Sequence, residues 1–308
     1  MQEFFKRIWF AIKNLLQKII IPGFDGVSLY EILRFFVKGI MKGAITMRGA
    51  SVAFNFFLAL FPTIIFIFTI IPYLPIANFD ETVFALLKDV LPDSTYNSVY
   101  ETVKEILTRP HSGLLSVGFI LALYFSTSGI NSMIDAFNQT NHSIETRSFI
   151  KQQLVSIALV LIISVLTLLG VALMIGGEFL VNTLKANEWI NSGFQIFMLQ
   201  FLRWFFMVII FFFTISFLYY LGPSRRQQFR FISAGSTLST ILIIILSVAF
   251  NYYIENFSSY NALYGSIGTL IIVMMWIYYV SIVILIGFEL NASISVAKKM
   301  PNTKKLAD

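Results

Sequence analysis

Several polar side chains that could carry chemistry in this chain lie inside long apolar stretches, and the second stretch is the richest in them. At about 100° per residue of helix, six of its polar residues fall within roughly 100° of arc; they are Tyr124, Thr127, Ser128, Asn131, Asp135 and Asn138. Such a stripe cannot face lipid, because hydrocarbon satisfies no hydrogen bond. The sequence therefore predicts either hydrogen bonds to neighbouring helices or the wall of a wet cavity that binds a substrate.

Two charged residues inside apolar stretches, Arg203 and Glu289, are further candidates for a substrate site. A guanidinium at the depth of Arg203 costs about 2.5–3.5 kcal/mol unless it reaches the membrane surface or pairs with a carboxylate. Glu178 and Glu255 lie at compatible depth for such a pair, and capture of an anionic substrate group is the alternative. Glu289 lies near the end of the last stretch, where it could be hydrated, anchor helix packing, or act as a gate or coupling-ion site.

Proline and glycine mark positions where the helices should bend or approach closely. Pro62 lies near the middle of the first apolar stretch and removes one backbone hydrogen bond there. Gly265, Gly268 and Gly287 share one side of the last stretch, where small residues let two backbones come close. We predict structural roles for these four residues, a kink at the proline and close packing at the glycines.

Several kinds of chemistry are missing from the sequence. It has no Cys and only two His, His111 and His142, which fall on opposite sides of the predicted membrane. No P-loop, HExxH or nucleophile-elbow motif occurs. We therefore expect no bound metal, no cofactor and no enzymatic activity. The net charge of +6 follows from membrane topology, so membrane lipids, and not nucleic acid, are the expected partners.

Six apolar runs must position these residues, and they lie at 51–74, 114–137, 154–175, 195–221, 232–254 and 264–290. Each has the roughly 20 residues that a spanning helix needs. The chain is 57% hydrophobic and 12% charged, a composition that excludes a water-soluble core. Most Lys and Arg lie in alternate gaps and in both terminal segments, which predicts that both termini are cytoplasmic. The predicted fold class is all-α, a polytopic membrane protein with six transmembrane helices, N-terminal interfacial amphipathic helices and an external helical hairpin.

One transmembrane domain with two flanking segments is predicted. Residues 1–50 form a cytoplasmic arm of interfacial amphipathic helices, and Ser28 with Glu31 has the pattern of a capping box at the start of the second one. Residues 51–292 form the six-helix domain, in which the segment of about 75–111 is an external helical lid. Residues 293–308 form a basic cytoplasmic tail.

Three groups of motifs are specific enough to indicate a family. They are RGASVAF at 48–54 with LFP at 60–62, the polar end of the second run closing at Asn138, and YGSIG, WIY and GFELNA at 264–268, 276–278 and 287–292. On these motifs the chain resembles, over roughly residues 30–297, the YihY/BrkB family of bacterial inner-membrane proteins, whose members have carried the name ribonuclease BN. Ala59 and Phe288 depart from the usual pattern, which has Ser and a small residue at these positions.

The resemblance implies a six-helix, multi-pass protein of the bacterial inner membrane with both ends inside. It links the family to virulence, serum resistance and envelope lipid transport, and it favours a transporter, flippase or exporter for an amphipathic or anionic, lipid-like envelope molecule. The alternative is a non-transporting scaffold that binds partner proteins in envelope assembly. A membrane ribonuclease is disfavoured, because the sequence has no catalytic or metal-binding constellation.

Overall fold

The computed structural model describes residues 14–19, 26–42, 44–70, 84, 88, 96, 100, 103–104, 112–140, 143–144, 147–187, 193–224, 230–256 and 266–299. The helices in this part of the chain are α1 (Leu29–Lys42), α2 (Ile45–Ile70), α3 (Ser112–Asn138), α4 (Phe149–Ala186), α5 (Gly193–Leu221), α6 (Ala234–Asn256) and α7 (Ser266–Lys299). Two short strands, β1 (Gln139–Thr140) and β2 (Ser143–Ile144), pair antiparallel directly after α3.

Six helices, α2–α7, are long and apolar enough to cross a membrane. Each coincides with one of the six predicted apolar runs, so the all-α, six-helix fold class is confirmed. Two helices exceed their runs by the most, since α4 begins at Phe149 and ends at Ala186, and α7 continues to Lys299. The added turns contain polar side chains, such as Gln152 and Asn291, that hydrogen-bond to other helices and therefore need not leave the bundle.

The apolar core lies toward the end of the bundle where α2 begins and α3 ends, which we call the arm end because α1 packs there. The opposite end is the distal end. Most of the largest fully buried apolar side chains come from α3, α4, α5 and α7; these are Met133, Ile134, Phe137, Leu159, Ile215, Tyr219 and Leu285. They meet in one cluster that also contains Val52 of α2 and Ile243 of α6, so all six spanning helices contribute to a single core.

Helix α1 begins with the predicted capping pattern. The Ser28 hydroxyl accepts a hydrogen bond from the Glu31 backbone N–H at 3.4 Å and donates one to the Glu31 carboxylate at 3.1 Å. The hydroxyl thus satisfies one of the free N–H groups at the helix start. The serine half of the predicted capping box is therefore confirmed, whereas the Glu31 carboxylate bonds the Ser28 hydroxyl and not a free N–H group.

The apolar side of α1 is divided between two surroundings. Ile32 is fully buried against Leu290 and Ile294 of α7, so α1 is attached to the bundle and does not merely lie on a membrane surface. A second row on α1 is exposed and lies beside basic side chains; it consists of Leu33, Val37 and Met41, next to Arg34 and Lys38. That exposed row has the composition of an interfacial helix.

Glycine lets α6 and α7 cross at very short range. A Cβ built on Gly287 would collide with the Ser239 hydroxyl and would lie 2.6 Å from the Gly235 carbonyl oxygen. The Asn291 amide oxygen accepts a hydrogen bond from the Gly235 N–H at 2.8 Å, and its NH₂ donates to Ser233 Oγ at 2.9 Å. Small residues and an amide therefore hold this crossing together, as expected for helices in lipid.

The other predicted structural residues are placed as follows. Pro62 is buried within α2, and it leaves the Leu58 carbonyl without the usual helical donor. Gly268 is buried in α7, whereas Gly265 lies outside the described residues.

Three predicted segments lie mostly or entirely outside the described residues. They are the external lid, the first arm helix and the tail from residue 300. In the lid segment, the rings of Phe84 and Tyr100 lie 4.8 Å apart, centroid to centroid.

The Gly287→Ala variant is expected to lose about 1–3 kcal/mol of stability, because the added methyl group overfills the crossing of α6 and α7. The measurement is the thermal unfolding midpoint of purified protein in detergent. Gly176→Ala in α4 is the matched control, because an added Cβ there has no atom within 4 Å. This control should keep or slightly raise the midpoint. Equal losses in both variants would contradict the close crossing.

Candidate functional site

A buried ion pair lies at the arm end of the bundle. Glu289 on α7 has no exposed surface, and its Oε2 lies 3.8 Å from Nη2 of Arg48 on α2. Nη1 of the same guanidinium donates a 2.7 Å hydrogen bond to the carbonyl oxygen of Ala136, in the last turn of α3. Two side chains therefore connect three spanning helices.

Helix α1 is the fourth helix that packs against the ion pair, and it covers the Glu289 carboxylate. A Cβ on Gly39 would collide with Oε1 of Glu289 and would lie 2.7 Å from its Cδ. Only a glycine allows the α1 backbone to come this close to the carboxylate. Below it, the Ser293 hydroxyl donates to the Glu289 carbonyl oxygen at 2.7 Å, one turn further along α7. The carboxylate is thus enclosed by α1, α2 and α7.

Of the readings offered for Glu289, solvation at the membrane interface is wrong, because the side chain is fully buried. Its position fits a packing anchor, and a gate at this end stays a prediction. Arg48 was not predicted as the partner of Glu289, because it lies in the predicted cytoplasmic arm of residues 1–50, where a basic residue is ordinary. One signal was available in the sequence. Uncharged residues, such as Ile45 and Val52, lie on both sides of Arg48, so the apolar run could have been extended back past it.

The predicted polar stripe of α3 makes hydrogen bonds to the two helices beside it. Toward α2, the Asn55 amide donates to Ser132 Oγ at 2.7 Å and accepts from Ser128 Oγ at 3.3 Å. Toward α4, the Asn131 amide donates to Gln153 Oε1 at 2.8 Å and accepts from the Ser156 hydroxyl. These contacts belong to the first of the two alternatives, hydrogen bonds between helices.

The remaining stripe residues have separate surroundings. Asp135 accepts a 2.7 Å hydrogen bond from the Gln152 amide, and the Asn138 amide oxygen accepts one from the Ser224 N–H at 3.1 Å. The Thr127 hydroxyl donates to the Leu123 carbonyl of its own helix. Tyr124 is 65% exposed and points to the outside of the bundle.

Arg203 lies on α5 against α4. Its Cδ would be 3.0 Å from a Cβ on Gly177, so the aliphatic part of the side chain crosses α4 at a glycine. Glu178, one of its two expected partners, follows this glycine directly, and its side chain lies outside the described residues. The other, Glu255, accepts a 2.6 Å hydrogen bond from Asn251 on its own helix. Arg203 thus lies between α4 and α5, whereas Glu289 lies between α2 and α7. The structure does not bring these two predicted site residues together.

An aromatic cluster lies directly next to the ion pair. The rings of Phe137 and Phe288 stack with centroids 4.3 Å apart, and Tyr219 packs against both. The Tyr219 hydroxyl donates to the Ile284 carbonyl at 2.5 Å and shares a 2.6 Å hydrogen bond with Ser239. Phe288, one of the two atypical residues, thus fills space between α3 and α5. The arm end is densely packed at this level.

A cavity of about 380 Å³ lies further into the bundle, and we call it the central cavity. Five spanning helices, α2, α3, α4, α5 and α7, contribute to its wall. The wall is mostly apolar and includes four hydroxyl side chains, Ser126, Ser164, Thr214 and Ser281. On α3 it uses Ser126, Ile130 and Met133, which lie beside the predicted stripe; the eight residues expected to line a substrate path are not among its lining residues.

Acidic and other metal-binding side chains do not cluster in this part of the protein. No group of three or more His, Cys, Asp or Glu residues that could hold a metal ion occurs among the described residues. The chemistry available in the central cavity is therefore that of an apolar wall with hydroxyl groups. It can exclude water and bind hydrocarbon, and it can offer a few hydrogen bonds.

The fold and these contacts define an α-helical membrane protein with a polar, densely packed end and an apolar cavity further along the bundle. Comparison with known proteins gives the family: the profile of the Virulence factor BrkB family matches residues 36–307, and the chain belongs to that family.

Three relatives illustrate the range of similarity. YfkH of Bacillus subtilis (strain 168), whose name describes it as ribonuclease-like, is 32% identical over 83% of this chain and 92% of its own. The UPF0761 membrane protein IL2447 of Idiomarina loihiensis is 28% identical over 68% of this chain and 71% of its own. The UPF0761 membrane protein NTHI0384 of Haemophilus influenzae is 24% identical over 87% and 96%. No solved structure matches the chain.

Removing one member of the ion pair is expected to cost about 3–5 kcal/mol of stability, because the other charge stays buried without its counter-ion. Glu289→Leu and Arg48→Met should each show this loss in thermal unfolding, and the double variant should lose less than the sum. Arg34→Met, at an exposed position of α1, is the control and should change stability by no more than about 0.5 kcal/mol. Additive losses in the double variant would contradict a coupled pair.

Proposed function

We propose that the protein is a transporter, acting as a flippase or exporter, for an amphipathic or anionic, lipid-like molecule of the bacterial envelope. The central cavity is the observation that carries this proposal. Its volume of about 380 Å³ falls in the range of roughly 300–1,000 Å³ that is usual for small-molecule sites. An apolar wall with four hydroxyls suits a molecule that is mostly hydrocarbon and carries some polar groups.

The central cavity is not closed, because Ser164 of its α4 wall is exposed. This residue lies within a spanning helix, so the opening faces the hydrocarbon of the bilayer. A hydrocarbon occupant supplies van der Waals contacts to the apolar wall, and it fits this wall better than water does.

The packing toward the arm end supports a path that can be closed. Met133, Leu218 and Ile284 line the end of the central cavity nearest to α1. About one turn nearer the arm end lie Phe137 and Phe288, Tyr219 directly follows Leu218, and the Arg48–Glu289 pair lies next to this cluster. Alternating access requires one closed end at a time. In this proposal the aromatic cluster and the ion pair form the closed end, and Glu289 acts as the gate, which is one of the alternatives that the sequence left open.

The proposal includes location and orientation. We place the protein in the bacterial inner membrane with both termini in the cytoplasm. The basic residues at the arm end support this orientation; they include Arg34, Lys38, Arg147, Arg230 and Lys298, and cytoplasmic ends of membrane helices are rich in Lys and Arg. The distal end is then outside, where Arg203, closer to that end, could receive an anionic group of the substrate.

A scaffold for envelope assembly is the second candidate. A scaffold requires that the polar side chains of α3 hydrogen-bond to neighbouring helices and not to a substrate. Asn131 and Asp135 make such bonds to α4, and Asn55 of α2 makes one to α3. In that case the exposed row of α1 and the lid would bind partner proteins. The central cavity distinguishes the two candidates, because a scaffold has no use for it.

Orientation can be tested with single cysteines, because the natural chain has none. Arg34→Cys at the arm end and Asn187→Cys at the distal end are both exposed positions. A membrane-impermeant maleimide should label Asn187→Cys in intact spheroplasts and Arg34→Cys only after permeabilisation. The reverse pattern would place the termini outside.

Transport can be tested by reconstituting the purified protein in liposomes that contain a labelled phospholipid or an anionic solute. The wild-type protein should move at least one of them, and Thr214→Phe should reduce the rate, because the ring fills the central cavity. Thr183→Phe is the matched control. Both threonines donate only to the carbonyl four residues earlier, but Thr183 is exposed on α4 and Thr214 lines the cavity.

Three results would favour other functions. No movement of either probe, together with normal growth of an Arg203→Ala strain, would remove the transport proposal. A stoichiometric partner recovered by crosslinking from cells would then support the scaffold. Metal-dependent cleavage of RNA by the pure protein would support the activity that the name of the Bacillus relative describes.

A further inference from the structure

A second apolar space, of about 360 Å³, lies between α5, α6 and α7, and we call it the lateral groove. Its α5 side is formed by Trp204, Val208 and Phe211, and Ile244 contributes from α6. All four side chains are exposed on the outside of the bundle. Since they lie in the middle of spanning helices, they face the hydrocarbon of the bilayer.

The lateral groove and the central cavity share a wall. Trp276 and Val280 of α7 line both spaces. The Trp276 ring is partly buried and packs against Phe250 of α6, with the ring centroids 5.1 Å apart. An indole that rests on one neighbouring ring can change rotamer without disturbing the core cluster at the arm end, because it is not a member of that cluster.

The chemistry of both spaces selects the same kind of occupant. None of the side chains that line them is charged, and the lateral groove has a single hydroxyl, that of Ser247. A charged headgroup would lose its hydration there without gaining a partner. Lipid chains are present at this depth at very high concentration, and they can enter sideways without crossing the polar ends of the bundle.

We propose that the lateral groove binds one hydrocarbon chain of a membrane lipid, and that Trp276 is the partition this chain passes to enter the central cavity. The headgroup stays outside the bundle while the chain is held. The inference deepens the proposed function by naming the alkyl chain as the part of the substrate that is recognised, and the onward passage of the lipid rests on that function. Binding of the chain does not depend on it.

The test uses a phospholipid with a diazirine at the end of one acyl chain, incorporated with the full-length protein into nanodiscs. After photolysis, labelled residues are located by mass spectrometry. Ile130 and Met133 are only 3% and 2% exposed, and both line the central cavity. We expect label on these two residues, because only a chain inside the cavity can reach them.

Variants separate the partition from general loosening of the bundle. Trp276→Ala should increase the label on Met133 several-fold, and adding Thr214→Phe should remove it. Trp204→Ala is the matched control, since it deletes an equally large ring at the mouth of the lateral groove but not from the shared wall. It should leave the label on Met133 unchanged, and the thermal unfolding midpoints of the variants show whether each one is folded.

Each result has one meaning. Label confined to lipid-facing residues such as Ile120 and Leu168 in wild type and Trp276→Ala would overturn the inference, whatever the liposome assay shows. An equal increase in Trp276→Ala and Trp204→Ala would overturn the role of Trp276. Label on Met133 that depends on Trp276, in a protein that moves no lipid, would keep the inference and remove the proposed transport function.

Discussion

A charge buried between membrane helices needs its counter-charge within reach, and at the arm end this requirement fixes the arrangement of four helices. The Arg48 guanidinium contacts α7 through Glu289 and α3 through the Ala136 carbonyl, while the Gly39 backbone of α1 covers the carboxylate. A shift of α2 or α7 would separate the two charges, and a shift of α3 would remove the carbonyl that accepts a hydrogen bond from Arg48. The aromatic cluster of Phe137, Tyr219 and Phe288 packs beside this fixed point and extends it toward α5.

The bundle is built differently at its two levels. Near the arm end, amide and hydroxyl groups of α3 are used in hydrogen bonds to α2 and α4, so polar side chains there hold helices together. At mid-membrane the same helices meet at apolar side chains and leave the central cavity and the lateral groove. The arm end is densely packed, whereas the middle of the bundle contains open space. A ligand can therefore enter the middle while the contacts at the arm end keep the helices in place.

The sequence predicted the spanning helices well, because twenty apolar residues in a row have few alternatives in lipid. It also predicted the Ser28–Glu31 cap, which depends on neighbouring residues alone. It left the α3 stripe undecided, since the period of a helix shows which residues share a face but not what that face meets. The Arg48–Glu289 pair and the central cavity were missed for the same reason. Each joins residues from helices far apart in sequence, and charge at the edge of an apolar run resembles ordinary interfacial charge.

The ion pair also joins the first spanning helix to the last one. Arg48 is synthesised and inserted long before Glu289 exists, so the guanidinium must wait near the water layer while four more helices enter the membrane. Only a completely inserted chain offers the carboxylate that allows Arg48 to become buried and α1 to close over it. The amino-terminal arm can therefore reach its final packing only after the last spanning helix has entered the membrane.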